Sequence, residues 1–153
     1  MLYLERVLGP ERTAFYRQRL KRQGVVLTSW EGEDPIGAVY VTWEPADEDI
    51  VRKHLPGVPF VHRLHVVDGR RNNGRGKALL REAEELDEVR MAGRLGAGID
   101  LDNDRVIGWY ERLGYREWAH GIVQTWREEH VPDGTVQVVP DLCRIFVKDL
   151  DPA

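Results

Sequence analysis

A chain of 153 residues is long enough to bury one hydrophobic core and short for two ordinary domains, so residues 1–153 are expected to form a single domain. With 42% hydrophobic and 31% charged residues it has the composition of a soluble globular protein, and no apolar run nears the length of a bilayer span, which weighs against a membrane partner. A net charge of −4 without long basic runs weighs against nucleic acid, and the single Cys143, with no cysteine and histidine cluster, excludes an internal disulfide and weighs against a bound metal.

Residues 1–6 lack the basic start and apolar run of a signal peptide, which predicts a cytoplasmic location. A first strand is expected over 2–7 and a helix over 10–23, opened by Pro10 and stopped by Gly24. Residues 25–30 and 36–43 are β-rich runs joined by Glu31-Gly32-Glu33-Asp34-Pro35, a hairpin signal. Strict alternation over the next strand, 60–67, puts Phe60, His62 and Leu64 on one face and Val61, Arg63 and His65 on the other, so that His62 and His65 point apart. Residues 76–90 read as one helix with Leu79, Ala83 and Leu86 on its inner face. A strand over 98–101 leads through the cap candidates Asp102, Asn103 and Asp104 into a short helix, 105–113, closed by Gly114. Tyr115 starts another strand. Strands over 122–126 and 135–139 flank Pro132-Asp133-Gly134, and 142–150 closes a mixed α/β sheet with helices on both faces.

The most informative segment runs from Val66 to Leu80, where an apolar strand enters a basic, glycine-punctuated turn that opens a helix. Gly74 and Gly76 permit close backbone approach, the first-turn N–H groups lack intrahelical partners, and the helix dipole favours an anion there. Arg70, Arg71, Arg75 and Lys77 reinforce the sign, so a phosphate or diphosphate is the expected ligand. A dinucleotide fingerprint is ruled out because Leu79 holds the place of its third glycine. A Walker loop is ruled out by Arg75 at its lysine position and Gly76 at its Ser/Thr position.

Arg71-Asn72-Asn73-Gly74-Arg75-Gly76-Lys77 followed by Ala78-Leu79-Leu80 resembles the diphosphate loop of the GCN5-related N-acetyltransferases (GNAT), and Asn103, Tyr110 and Gly114-Tyr115 resemble that family's second hallmark, in its order and separation. The resemblance covers roughly residues 60–118 and implies a mostly antiparallel central sheet whose fourth and fifth strands splay apart to admit the pantetheine arm of acetyl-CoA. It also implies an N-acetyltransferase that joins acetyl-CoA to an amine acceptor without a covalent enzyme intermediate. Backbone groups of Leu64, His65 and Val66 would hold the pantetheine, and an N–H near Leu64 would face the thioester oxygen. Residues 71–77 and Asn103 would hold the rest of the coenzyme, and Tyr110 would protonate the departing thiolate.

An alkylammonium is no nucleophile until it loses a proton, and His62 is the first choice of base, with Glu44 or water as fallback. The acidic loop from Trp43 to Asp49 is one candidate wall for a cationic acceptor, with Trp118, His120 and Trp126 opposite. The tail around Arg127 to Val139 departs from the most compact family pattern, and a cover for the site, a homodimer contact and a determinant of specificity are the roles open to it. A noncatalytic acyl-CoA sensor would keep Arg71, Gly74, Gly76 and Asn103 but would need neither His62 nor Tyr110.

Overall fold

Residues 23–67 and 74–150 are described by the computed structural model; the expected strand at 2–7, the helix from residue 10, and Arg70, Arg71, Asn72 and Asn73 lie outside them. Strands β1 (Gly24–Glu31) and β2 (Asp34–Thr42) form the expected antiparallel hairpin, turned by Gly32 with φ of 61°. Apart from its ends β2 is buried, because β1 and β3 flank it and both its faces are covered. Strand β3 (Phe60–Val66) runs antiparallel to β2 and parallel to β4 (Arg94–Asp100), which pairs in turn with the long β7 (Val136–Asp149). β7 carries β6 (Val123–His130) and the short β5 (Arg116–Glu117) along its other side. Among the described residues the sheet is therefore mixed, with β3–β4 as its parallel pair.

Four helices among the described residues cover this sheet. Helix α1 (Asp49–His54) buries Val51 and Leu55 against Phe60, Val123, Cys143 and Ile145 on one face. Helices α2 (Arg75–Glu84), α3 (Asp87–Ala92) and α4 (Asp104–Arg112) close the other, where Leu79, Leu80, Val89, Ile107 and Tyr110 meet Val39, Val41, Leu95, Ala97 and Phe146. No helix among the described residues is long and apolar enough to cross a membrane.

Several expectations change. Residues 76–90 are two helices, not one: Leu86 is extended, with φ −60° and ψ 140°, and Asp87 and Glu88 supply the acidic first turn of α3, where a helix dipole favours carboxylates. Helix α1 was not expected within the acidic stretch after Trp43. It is held by its own charge pattern, with Asp49 in the first turn and Arg52, Lys53 and His54 in the last, and by Arg52 bonding the Asp47 carbonyl at 2.8 Å and the Asp49 carboxylate. The strands expected at 135–139 and 142–150 are one strand running through Pro140. From Val136 to Leu142 β7 pairs with β6 alone, since β4 joins it only at Asp100↔Cys143, and such an edge tolerates a residue without an N–H.

Candidate functional site

The site is built by an interruption in β3. Tyr40 pairs with His62 and Ala38 with His65, so Val39 alone stands opposite both Arg63 and Leu64. The extra residue is a β-bulge, and Arg63 absorbs it with φ of 55°, a left-handed conformation costing an L side chain about 1–2 kcal/mol. Strict alternation therefore fails after His62. Leu64 and Val66 pack with the core under α2, together with Val61. His62 and His65, opposite Tyr40 and Ala38, share the other face, which corrects the expectation that they point apart. The His62 ring lies 5.7 Å from that of Tyr40 and 6.5 Å from that of Phe60.

Beyond the bulge the sheet opens. β3 and β4 pair at Phe60↔Gly96 and Val61↔Ala97, and both strands then run on, to Val66 and Asp100, without pairing to each other. This is the expected splay. The Phe60 ring fills the place of a Gly96 side chain, with its Cζ 2.7 Å from where a Cβ would stand, and so packs the closed end of the opening.

The N-terminus of α2 stands beside the far end of β3. A Cβ on Gly76 would lie 3.5 Å from the Trp109 ring and 3.8 Å from Val66, so the first turn of α2, the end of β3 and α4 meet there. Gly74 is the N-cap with φ of 75° and no side-chain capping bond, and the first turn holds no acidic residue. Arg75, whose guanidinium stands 3.9 Å from Glu31, and Lys77 flank it instead. A helix N-terminus with uncapped N–H groups and basic neighbours fits an anion.

Helix α4 begins at the end of β4. Asn103 is its N-cap through the backbone, its carbonyl accepting from Ile107 N at 3.0 Å, and its side-chain amide takes no part in capping. With Asp100, Asp102, Gln124 and Asp141 it lines a cleft of about 790 Å³. The helix ends as expected at Gly114: Gly114 N donates to Glu111 O at 3.1 Å and Tyr115 N to Tyr110 O at 3.1 Å, a Schellman motif with the glycine at φ 98°. Tyr110 is 6% exposed, its ring edge-on to Trp109 at 5.0 Å and to Tyr115 at 5.2 Å. Its hydroxyl has no hydrogen-bond partner among the described residues, and burial raises its pKa well above the ordinary phenol value, so the proton stays on it through the neutral range.

The remaining candidates fall elsewhere. Glu44 lies beyond Thr42, which pairs with Phe60 at the closed end of β3, and its carboxylate accepts from Gln23 N at 2.9 Å. Trp118 and His120 do not form a wall of the opening. They line a separate cavity of about 510 Å³ at the end of the sheet where β4 starts, with Arg94, Asp149 and His54, whose ring stacks on His120 at 3.5 Å. Trp126 is 63% exposed on the β6–β7 hairpin, on the face it shares with Val138 and Leu142. Glu84, which is not among the residues expected from the sequence, is 7% exposed among Tyr115, Lys148 and Arg81; its place four residues after Leu80, on the inner side of the helix, is the signal that marks it. Among the described residues no set of three histidine, cysteine or acidic side chains gathers as a metal site.

Residues 3–115 match the family model described as the acetyltransferase (GNAT) family. No curated protein sequence matches the chain. Among solved structures, the IAA acetyltransferase from Bacillus cereus ATCC 14579 is 18% identical, over 92% of this chain and 85% of that one, with a TM-score of 0.59. The ribosomal-protein-S18-alanine N-acetyltransferase from Escherichia coli is 15% identical over 92% and 77%, with a TM-score of 0.61. A GNAT family acetyltransferase from Elizabethkingia anophelis with acetyl-CoA bound is 14% identical over 90% and 82%, with a TM-score of 0.61. At such identities the likeness is one of fold.

Proposed function

Because this chain belongs to the acetyltransferase (GNAT) family, we propose that it transfers an acetyl group from acetyl-CoA directly to the amine of a small molecule or peptide. The observation that carries the reading is the loss of β3–β4 pairing after Val61, with an anion-ready helix N-terminus at the far end of β3. An extended chain bearing a diphosphate fits both. Its amides add along Leu64, His65 and Val66, as peptides add to open strand edges, and the diphosphate meets the N–H groups and cations of residues 71–77. The relative from Elizabethkingia anophelis, solved with acetyl-CoA, supports that donor.

The chemistry needs a base, a donor to the developing oxyanion and a proton for the leaving group. His62 takes the proton from the ammonium, and the neutral amine forms the new C–N bond as the C–S bond breaks. Arg63 and Leu64 sit across from one β2 residue, and this bulge favours the Leu64 N–H as the donor to the thioester oxygen. Tyr110, protonated through the neutral range, gives its hydrogen to the departing sulfur, and Asn103 steadies the arm near the start of α4.

Calorimetry with CoA and a coupled thiol-release assay over an amine panel, small amines and peptide N-termini included, test the proposal. Binding with thiol release from at least one amine supports it; binding without release from any amine makes the protein an acyl-CoA sensor instead. His62→Gln is expected to flatten the acid limb of the kcat/KM profile, because the imidazole that must be neutral to accept a proton is gone. A limb that survives assigns the base to Glu44 or water.

A further inference from the structure

Glu84 closes α2 where a carboxylate is least at home. It is 7% exposed and lies at the negative end of the helix dipole, so both burial and local field oppose its charge. Three groups answer it. The Tyr115 hydroxyl donates to one oxygen at 2.8 Å, Lys148 Nζ lies 3.1 Å from both oxygens, and the half-exposed Arg81 reaches it at 3.4 Å. Apolar residues of the same shape usually serve stability at least as well as a buried ion pair, so what this pair adds is geometry.

The geometry joins the two ends of the site. Glu84 belongs to the helix whose first turn is Gly74 to Lys77, a rod of about 15 Å. Tyr115 follows the Schellman glycine of α4, donates its N–H to the Tyr110 carbonyl at 3.1 Å and sets its ring against that of Tyr110 at 5.2 Å. Lys148 anchors both to β7. We infer that Glu84 is a positioning residue that ties the diphosphate-facing helix to the C-terminal turn carrying Tyr110, so that anchoring of the coenzyme and placement of the phenol are set by one rigid unit. The inference rests on the acetyl-transfer reading.

The test replaces the tie by apolar groups, Glu84→Leu together with Lys148→Met, alongside Glu84→Gln, which keeps an acceptor for Tyr115. In a folded double variant kcat is expected to fall about tenfold or more, with KM for acetyl-CoA within about twofold, and Glu84→Gln to restore most of the loss. Unchanged kcat, or a Glu84→Gln no better than the double variant, overturns the inference. If the double variant does not fold, Tyr115→Phe removes the tie alone and must show the same split between kcat and KM. Amide exchange supplies a readout independent of turnover. CoA is expected to slow exchange at the Leu113, Gly114 and Tyr115 amides in the wild type and not in the variant, whereas equal protection in both overturns the inference. A wild type that binds CoA but acetylates no amine defeats the transferase reading while the exchange result still decides this one; a wild type that does not bind CoA defeats both.

Discussion

Gly74→Glu is expected to abolish CoA binding, and with it thiol release, while the protein stays folded. A Cβ at Gly74 meets nothing within 4 Å, so the substitution brings no clash, and the left-handed φ of 75° costs about 1–2 kcal/mol. The new carboxylate would sit at the positive end of α2, where it suits the helix and occupies the field meant for the ligand. A like charge about 4 Å away, at the effective dielectric of a protein surface, opposes binding by about 4 kcal/mol, or nearly a thousandfold. Gly74→Ala carries the backbone strain without the charge and separates the two effects in the same calorimeter. Wild-type affinity in the glutamate variant would place the diphosphate elsewhere.

Tyr110→Phe is expected to lower kcat about a hundredfold and leave the acetyl-CoA KM near its wild-type value. The ring contacts with Trp109 and Tyr115 persist in phenylalanine, and the hydroxyl has no hydrogen-bond partner among the described residues, so its removal strands no buried group. The variant should accordingly melt close to the wild type, which lets the kinetic loss be read as chemistry. Because burial raises the phenol's pKa, its deprotonation should add no alkaline limb below its ordinary value of 10.0. An unchanged rate reduces Tyr110 to packing.

Much of this was legible in the chain because local chemistry and the fold agree. Gly32 and Gly114 stand where the backbone needs positive φ, and the alternating and apolar runs of β1 and β2 are where the hairpin forms. The start of α2 was legible for the same reason: Gly74 caps it with a left-handed φ of 75°, and Gly76 lets its first turn pack close to Trp109 and Val66. What escaped carries no such mark. The bulge falls on Arg63, a residue with no preference for left-handed backbone, so alternation read past it and parted two histidines that share a face. The break after α2 contains neither glycine nor proline, because it is set by packing of Leu86 and Val89 onto the core. Helix α1 is too short to show a period. Pro140 reads as an end of a strand, and only the absence of a β4 partner at that height makes it compatible with one. Trp118 and His120 follow a strand only two residues long, whose partner Val147 lies nearer the opposite end of β7 than sequence order suggests.

The kink at Arg63 also determines which lengths of this strand the protein can tolerate. Removing one residue there would restore perfect pleating and keep every surviving side chain in phase, with Leu64 opposite Val39 and His65 opposite Ala38, whereas losing the pair Arg63 and Leu64 would rotate the imidazole of His65 into the oily layer beneath α2 and turn Val66 away from it. Deletions at this point should therefore obey a parity rule, odd counts surviving and even counts scrambling the interior.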